Sequence, residues 1–346
     1  MRNGKTALAI ALSSGVTLLL SGCQTSNGMS ASTVAKYKVV VVMDTGSSFD
    51  DGFNLLAVNG MKQAQSELGV DVLQTKYVIP NADGENREEL LLSMARENDL
   101  VFALGYVYND LAKKAAARYP NVKFAVVDGD QDGLEETSNL KCLLFKEQEG
   151  SYLVGVAAAL KSNSGKIGFI GGGRLPVIER FEAGYLAGAK SVNPQITVLS
   201  EYAGSFDRPD LGASLATQEI NAGADVIYQA AGTTGTGVLE AAADAQKLCI
   251  GVDIDQTSFL NAARRPYLLT SMIKKVDMAV YTAIKDFVGK RFKGGKTIYG
   301  LSDGAVGYVE NDANRALLAP IKDQIEAAKA KIVAGTITVP STKAAQ

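Results

Sequence analysis

Histidine and tryptophan are both missing from this 346-residue chain, and cysteine occurs only three times. Without histidine, the chain lacks the usual general base, the usual partner of a nucleophilic serine or cysteine, and the commonest transition-metal ligand. The 35 Lys and Arg residues nearly balance the 37 Asp and Glu residues, and no long run carries one sign. A basic surface for nucleic acid is therefore not expected. We also expect no catalytic residue, bound metal or cofactor.

Two of the three cysteines lie in short apolar stretches that are typical of buried strands. Cys142 lies in the stretch Lys141–Phe145, and Cys249 lies in the stretch Leu248–Gly251. Although the two could pair in an oxidising compartment, buried cysteine commonly acts as a small apolar side chain. The sequence therefore predicts two buried free thiols.

The N-terminal residues have the pattern of an export signal. Arg2 and Lys5 precede an apolar stretch over residues 7–20, and the sequence Leu-Ser-Gly-Cys then ends at Cys23. Small residues before a cysteine resemble a bacterial lipoprotein signal that is cleaved just before that cysteine. The apolar stretch is shorter than the roughly 20 residues that a membrane-spanning helix needs. The sequence thus predicts a signal peptide over residues 1–22 and a diacylated Cys23.

A segment rich in Ser, Thr, Ala and Gly follows and predicts a flexible, lipidated tether over residues 23–36. The lipid would hold the protein to a membrane of the cell envelope, on the periplasmic side or at the outer cell surface. The sequence leaves open which membrane carries the anchor.

Strand-like and helix-like segments alternate from residue 37 onward. The first is Val39–Val42, whose continuous β-branched pattern is typical of a parallel strand that is buried on both faces. About ten such strands, separated by helical segments, favour two doubly wound parallel-sheet domains over one.

The two predicted domains are discontinuous, because three places along the chain are candidate boundaries. If the chain crosses at all three, the domains form two lobes that are joined by a three-segment hinge. The predicted bounds are residues 37–145 plus 254–298 for the N-terminal lobe and residues 146–253 plus 299–340 for the C-terminal lobe.

The loop after the first strand carries several groups that could bind a ligand. Asp44, Phe53 and Asn54 lie between the first strand and the first helix, and in open α/β sheets ligands bind beyond the carboxyl ends of the strands. A polar turn with Asp51 as a helix cap would explain the acidic residues, but it would leave Phe53 and Asn54 unexplained. The sequence therefore predicts that this loop contacts a ligand.

Other predicted strands also end in acidic or aromatic residues. Asp128 and Asp253 each follow an apolar run, and Phe206 follows another. A carboxylate at such a place is costly to bury without a partner, and Lys275 is the predicted cation beside Asp253. Together these residues predict one polar cleft.

Two glycine-rich loops connect a strand to a helix. The loop at residues 171–174 does not match the G-x-G-x-x-G pattern of dinucleotide-binding loops, so it predicts a tight turn instead of a phosphate site. In the loop at residues 230–237, Gly232 would let the backbone approach a polar ligand closely.

Five motifs, taken in order, resemble one family of proteins. They are the D-x-G…D-x-x-F-N loop at residues 44–54, the run Tyr119–Asp128, the run Phe145–Gly155, Gly-Val-Asp-Ile-Asp-Gln at 251–256, and Ser-Met-Ile-Lys-Lys-Val-Asp at 271–277. This ordered set, spread over nearly all of residues 37–340, resembles the basic membrane protein (BMP/Med) family of substrate-binding lipoproteins. It is most similar to the purine nucleoside receptors of that family.

The resemblance implies a type I periplasmic-binding-protein fold, in which two lobes close on a ligand and deliver it to an ABC permease in the cytoplasmic membrane. It implies a binding protein and not an enzyme, and we expect a monomer. Guanosine, inosine and adenosine are the expected ligands, and the sequence leaves open which of them is preferred.

In the nucleoside-binding members of the family, the purine is stacked between two aromatic rings. Here Phe53 matches the first ring, and either Phe206 or Tyr202 matches the second. The family often has serine where this chain has Gly52, which removes a hydroxyl from the loop. The remaining implied roles are base-edge hydrogen bonds by Asn54 and Asp128, and ribose contacts by Asp253, Lys275, Asp44 and the backbone of Gly232.

Three other functions are compatible with the sequence. The same fold could bind another small polar ligand such as a sugar, in which case Phe53 or Phe206 would point away from the cleft. A surface adhesin or sensory lipoprotein would use its outer face and would expose a large apolar patch. A nucleoside hydrolase would use a divalent cation at Asp44, Asp50 and Asp51.

Overall fold

The computed structural model describes residues 36–44, 52–69, 71–81 and 84–343. The predicted signal peptide, the lipidation site at Cys23 and all of the predicted tether except Lys36 lie outside the described residues. Asp50 and Asp51 of the first loop lie outside them as well.

Strands and helices alternate along the described residues. The strands are β1 (Tyr37–Val42), β2 (Leu73–Val78), β3 (Leu100–Leu104), β4 (Lys123–Val127), β5 (Leu140–Phe145), β6 (Lys166–Gly171), β7 (Thr197–Tyr202), β8 (Val226–Ala230), β9 (Leu248–Asp253), β10 (Leu268–Lys274), β11 (Gly295–Tyr299) and β12 (Val306–Tyr308). The helices are α1 (Phe53–Leu68), α2 (Arg87–Glu97), α3 (Asn109–Arg118), α4 (Glu147–Lys161), α5 (Pro176–Val192), α6 (Pro209–Asn221), α7 (Thr234–Asp244), α8 (Val276–Val288), α9 (Arg315–Leu318) and α10 (Lys322–Val333). No helix within the described ranges has the length and apolar character that crossing a membrane requires.

Strand β1 shows why the first apolar run has no polar alternation. Val39 and Val41 pack into one apolar cluster with α1, while Val40 and Val42 pack into another with α2 and α3. All four side chains are completely buried. Because helices cover both faces of the sheet, every position of the strand is an interior position.

The strands form two sheets of six within the described residues. Their orders are β11-β5-β4-β3-β1-β2 and β12-β10-β9-β8-β6-β7. All pairs are parallel except β10 with β12, which is antiparallel. In both sheets the first five strands of the lobe follow the same spatial order, and a later strand is added at the same edge. The two lobes therefore repeat one architecture. This is the type I periplasmic-binding-protein fold, as predicted. We call the lobe on the first sheet the N-terminal lobe and the other the C-terminal lobe.

The chain passes between the sheets three times, after β5, after β10 and after β11. The predicted second boundary at residues 253–254 is wrong for the strand that follows it. Strand β10 pairs with β9, so residues 268–274 belong to the C-terminal sheet and not to the N-terminal lobe. The polar segment after β9 resembles a crossing in sequence, but it forms short 3₁₀ turns that return the chain to the same sheet. The other lobe boundaries stay predictions.

Helices α4 and α5 pack with their backbones in close approach. A Cβ atom on Gly155 would lie 2.2 Å from the carbonyl oxygen of Tyr185, and one on Gly188 would lie 2.1 Å from that of Tyr152. A larger residue at either position would push the helices apart, at a typical cost of about 1–3 kcal/mol. The contact holds α4, which follows the first crossing, against α5.

Both remaining cysteines are buried and unpaired, as predicted. Cys142 lies in β5 and Cys249 in β9, in different lobes, and both are free thiols. Burial raises the pKa of the Cys249 thiol to about 12, so this thiol stays protonated and unreactive at neutral pH.

Candidate functional site

A cleft lies between the two lobes, at the carboxyl ends of their strands. It contains about 820 Å³ of space that no protein atom occupies, including open solvent at its mouth. From the N-terminal lobe it is lined by Asp44, Phe53, Asn54, Gly105, Tyr106, Val107 and Asp128. From the C-terminal lobe it is lined by Leu175, Val177, Ile178, Phe181, Phe206, Ala230, Ala231, Gly232, Thr233, Val252, Asp253 and Lys274.

The cleft brings together seven of the eight ligand-contacting residues that the sequence predicts. They come from both lobes and from positions up to about 200 residues apart in the chain. Each lies at the end of a strand, just after a strand, or at the beginning of a helix, on the side of the sheets where the strands have their carboxyl ends. These seven are Asp44, Phe53, Asn54, Asp128, Phe206, Gly232 and Asp253.

The eighth predicted residue, Lys275, does not line the cleft, whereas its neighbour Lys274 does. Lys274 ends β10 and lines the cleft with only 2% of its surface exposed, whereas Lys275 is exposed and precedes α8. Successive side chains of a strand point to opposite faces, so an error of one residue exchanges a cleft position for a solvent position. The backbone N–H of Lys275 donates to the carbonyl of Ala305 at 2.8 Å.

Phe53 and Asn54 are the first two residues of α1. Asn54 is 3% exposed, and the ring centroid of Phe53 lies 5.3 Å from the ammonium of Lys274. Gly52 precedes the helix and provides no side-chain cap. A Cβ atom on Gly52 would lie 3.1 Å from the Cβ atom of Asp253 in the other lobe, so the absence of a side chain lets the two lobes approach closely here.

The ring of Phe206 packs against the backbone of Gly172 and Gly173. A Cβ atom on Gly172 would lie 2.3 Å from Cε1 of the Phe206 ring, and one on Gly173 would lie 3.3 Å from Cε2. The buried hydroxyl of Thr234 donates to the carbonyl of Ser205 at 3.0 Å, and the N–H of Thr234 donates to the carbonyl of Phe206 at 3.2 Å. The first glycine loop is thus a tight turn that supports an aromatic ring on the cleft wall.

Tyr202, the competing aromatic residue, is not among the residues that line the cleft. Its ring packs beneath the guanidinium of Arg174, whose carbon lies 4.3 Å from the ring centroid. Its hydroxyl donates to the carboxylate of Glu182 at 2.5 Å. Both contacts belong to the C-terminal lobe, so the geometry favours Phe206 as the aromatic residue that faces a ligand.

The ammonium of Lys274 is the centre of a buried ionic cluster. It lies 2.7 Å from both carboxylate oxygens of Asp128 and 3.0 Å from Oε1 of Glu147. Glu147 in turn accepts from Nε of Arg180 at 2.7 Å. Burial alone would lower the pKa of Lys274, but the carboxylates of Asp128, Glu147 and Asp253 outweigh it and raise the pKa above its usual value. Lys274 therefore stays charged.

Two buried glutamines support the strand ends behind Asp253. Oε1 of Gln256 accepts from the N–H of Val252 and from Nε2 of Gln229, both at 2.9 Å. Oε1 of Gln229 accepts from the N–H of Ala231 at 3.0 Å. These bonds satisfy polar backbone groups at the cleft wall that would otherwise be costly to bury.

Comparison with known proteins identifies the family. The model of the Bmp family, described as ABC transporter substrate-binding protein PnrA-like, matches residues 37–343. The chain belongs to the Bmp family.

Relatives and solved structures agree with this assignment. The Bmp-family protein is 34% identical to basic membrane protein A of Borreliella burgdorferi, over 98% of this chain and 96% of the relative. It is also 34% identical to the ABC transporter nucleoside-binding protein BmpA of Lactococcus lactis subsp. cremoris, over 96% and 97%. A crystal structure of an ABC transporter solute-binding protein from Aeropyrum pernix K1 superposes with a TM-score of 0.78, at 29% identity, and covers 88% of this chain and 94% of that one. The Bmp-family protein is therefore an ABC transporter substrate-binding protein and not an enzyme, as the sequence resemblance implied.

Sequence reasoning missed one residue that holds a predicted ligand contact in place. Nη2 of Arg87 in the Bmp-family protein donates to Oδ1 of Asp44 at 2.7 Å, and its Nε donates to the same atom at 3.2 Å. The hydroxyl of the buried Tyr108 donates to the carbonyl of Met43 at 2.7 Å. These bonds fix the end of β1. Arg87 is 43 residues from Asp44, so no local pattern links them.

Sequence reasoning also missed the apolar part of the cleft wall. Tyr106 and Val107 follow β3. Leu175 directly precedes α5, and Val177, Ile178 and Phe181 lie in its first two turns. The strand end at Gly105 was a usable signal, because ligands gather at such ends in parallel sheets.

Within the part of the Bmp-family protein that the structure describes, no three or more His, Cys, Asp or Glu side chains are grouped so that they could hold a metal ion. The hydrolase hypothesis placed a divalent cation at Asp44, Asp50 and Asp51, and the last two lie outside the described residues. Of these three, Asp44 is described, and it pairs with Arg87.

Proposed function

We propose that this Bmp-family protein captures purine nucleosides in the cleft between its lobes and delivers them to an ABC permease. The observation that supports this most strongly is the placement of Phe53 and Phe206. The two rings come from different lobes and line the same cleft. Both are partly exposed, so both have surface available to a ligand.

A flat heterocycle is the ligand that two such rings suit. Stacking of a base on an aromatic side chain is worth about 1–3 kcal/mol per base. Because one ring belongs to each lobe, a base between them would connect the lobes when they close. A sugar binder would be expected to turn Phe53 or Phe206 away from the cleft, and neither is turned away.

The polar residues of the cleft supply the specificity for a nucleoside. We assign the base edge to Asn54 and Asp128, and the ribose hydroxyls to Asp253 and Lys274, with help from Asp44 and the backbone of Gly232. Ionised carboxylates accept hydroxyl hydrogen bonds strongly. A site that is built for such bonds rejects ligands that lack the hydroxyls, because its buried polar groups would then be unpaired. Lys274 replaces Lys275 in this assignment.

We further propose that the protein is a monomeric lipoprotein of the cell envelope, held to the membrane by lipid on Cys23. The support is the sequence Leu20-Ser21-Gly22-Cys23 after an apolar stretch. Cells that express the chain and are fed labelled palmitate should incorporate label into the membrane-bound protein. The Cys23→Ser variant should incorporate none, and equal labelling of both would contradict the anchor.

A ligand screen tests the nucleoside proposal. The full-length protein in detergent is titrated by calorimetry and by thermal shift with inosine, guanosine, adenosine, cytidine, uridine and free ribose. A ligand that binds only the folded state at 100 times its Kd adds about 2.7 kcal/mol to the free energy of unfolding. Purine nucleosides should raise the Tm, whereas pyrimidine nucleosides and ribose should raise it weakly or not at all. A flat response to all three purine nucleosides would refute the proposal, and a response to ribose alone would favour a sugar ligand.

A further inference from the structure

One motif of the family resemblance has no role in the cleft wall. The run Phe145–Gly155 spans the first crossing and the beginning of α4, and none of its residues lines the cleft. Its Glu147 is nevertheless completely buried. An ionised carboxylate that is buried to this degree needs partners of opposite charge, so its contacts indicate what the motif does.

Glu147 joins two cations, one of which lines the cleft. Its Oε1 lies 3.0 Å from Nζ of Lys274, and its Oε2 accepts from Nε of Arg180 at 2.7 Å. Arg180 lies on α5 and is 15% exposed at its side chain. Arg180 thus fixes the carboxylate on one side, and the carboxylate faces the ammonium of Lys274 on the other.

Lys274 connects this buried pair to the opposite lobe. Both carboxylate oxygens of Asp128, in the N-terminal lobe, lie 2.7 Å from the ammonium. Three aromatic rings surround the same ammonium, with centroids 5.3 Å away for Phe53, 5.2 Å for Phe145 and 5.6 Å for Phe181. The position of this one nitrogen therefore affects an acidic and an aromatic residue of the cleft at once.

The pair also lies where the chain passes between the lobes. Glu147 begins the helix after the first crossing, and Lys274 ends the strand before the second. The third crossing is tied to the same place, because the N–H of Lys146 donates to the carbonyl of Tyr299 at 2.8 Å. A charge contact between Glu147 and Lys274 thus links the hinge to the cleft.

We infer that Glu147 is a positioning residue of the ligand site: without touching the ligand, it holds the ammonium of Lys274 at the junction of the lobes, where that ammonium meets Asp128 and the ligand. Arg180 completes the arrangement by neutralising Glu147. The affinity part of this inference rests on the proposed nucleoside function, whereas the placement of the ammonium does not.

Substitution of Glu147 by glutamine tests the inference with little change of shape. In Glu147→Gln, the Kd for inosine should rise about tenfold or more, as expected for loss of a charged contact. Glu182→Gln is the matched control, because Glu182 is a buried carboxylate on α5 that pairs with Lys343 and not with Lys274. Its Kd should stay within about twofold of the wild-type value. Where Glu147→Gln does not fold by circular dichroism, Glu147→Asp serves instead and should show a smaller loss of affinity.

Two further measurements separate positioning from a general loss of stability. NMR titration of the lysine side chains, with Lys274 assigned by its absence from Lys274→Met, should show a lower pKa for this ammonium in Glu147→Gln and an unchanged one in Glu182→Gln. In a double-mutant cycle, Glu147→Gln should add less than about a twofold loss of affinity when Lys274 is already methionine.

The possible results are distinct. An unchanged Lys274 titration in Glu147→Gln, an equal loss of affinity in Glu182→Gln, or a full additional loss in the Lys274→Met background would each overturn the inference. A wild-type protein that binds no purine nucleoside refutes the proposed function alone, because the ligand-free titration of Lys274 still decides whether Glu147 holds the ammonium.

Discussion

Asp128 and Asp253 occupy the same place in the two lobes, and both have a positive φ angle. Asp128 directly follows β4 and Asp253 ends β9, strands that hold the same position in the orders of their sheets. Their φ angles are 63° and 68°, in the left-handed region that residues other than glycine avoid at a cost of about 1–3 kcal/mol. Both carboxylates line the cleft. The strain thus accompanies a symmetric pair of acidic groups, one in each lobe.

This strain predicts a difference between two substitutions of Asp253. Both Asp253→Gly and Asp253→Ala remove the carboxylate and should weaken nucleoside binding. Glycine adopts a positive φ freely, whereas alanine retains the cost. Asp253→Gly should therefore be more stable than Asp253→Ala, by about 1 kcal/mol in the free energy of urea unfolding. Equal stabilities of the two variants would contradict a strained position.

Removal of either aromatic ring should weaken purine binding. Phe53→Ala and Phe206→Ala should each raise the Kd for inosine about five- to 150-fold, which corresponds to about 1–3 kcal/mol of stacking. Phe53→Ala should weaken binding more than Asn54→Ala if stacking dominates, and calorimetry would show the reverse order if the base edge dominates. Tyr202→Phe is the control, because it removes only the hydroxyl that bonds to Glu182. Its Kd should be unchanged.

The packing of Phe206 against the glycine backbone can be tested without altering the ring itself. In Gly172→Ala the new methyl group would lie 2.3 Å from the ring, a distance that the ring can avoid only by moving. The Kd for inosine should rise, while Gly307→Ala, whose methyl group meets no atom within 4 Å, should leave it unchanged. Wild-type affinity in Gly172→Ala would show that ligand binding does not depend on the packing of Phe206 against Gly172.

The two adjacent lysines at the end of β10 should behave very differently. Lys274→Met leaves the buried carboxylates of Asp128 and Glu147 without their shared ammonium, and removal of one partner from a buried ion pair typically costs about 3–5 kcal/mol. Lys275→Met changes an exposed side chain and should alter the free energy of unfolding by less than about 0.5 kcal/mol. Urea unfolding and inosine titration of both variants make the comparison. Equal effects would mean that Lys274 is not the buried cation.

The fold could be predicted from the sequence because the decisive patterns are local. The run Val39–Val42 predicted a strand that is covered on both faces, and its four side chains are indeed buried. Acidic residues at strand ends predicted a shared cleft, because parallel strands end at one edge of a sheet. Asp128 and Asp253 line that cleft.

The remaining features depend on register and on distant contacts. The choice between Lys274 and Lys275 depends on one residue of register at the end of a strand, which apolar patterning does not resolve. The pairing of Asp128 with Lys274 spans 146 residues, and no spacing rule connects them. The pairing of β10 with β9 could not be predicted, because the polar segment between these two strands resembles a domain boundary. Contacts between residues so far apart in the chain can be identified only in the folded structure.

The last prediction concerns the buried carboxylic acid of Glu219. It lies on α6 with 2% of its surface exposed, and a Cβ atom on Gly168 of β6 would lie only 1.9 Å from its Oε2. Burial raises the pKa of Glu219 from its ordinary value of 4.5 to about 9, and repulsion from Glu201 adds to the effect. The folded protein therefore holds a proton that the unfolded chain releases above pH 4.5.

Because the folded state binds more protons, this residue makes the free energy of unfolding fall as pH rises. Its favourable contribution is complete below pH 4.5 and decreases up to about pH 9, where the folded carboxyl also ionises. The slope from this one group is at most about 1.4 kcal/mol per pH unit. Urea unfolding from pH 5 to pH 9 should show that Glu219→Gln, which cannot ionise, gains stability over the wild-type protein as pH rises. A constant difference between the two proteins across this range would mean that Glu219 is ionised in the folded state and has a counter-charge.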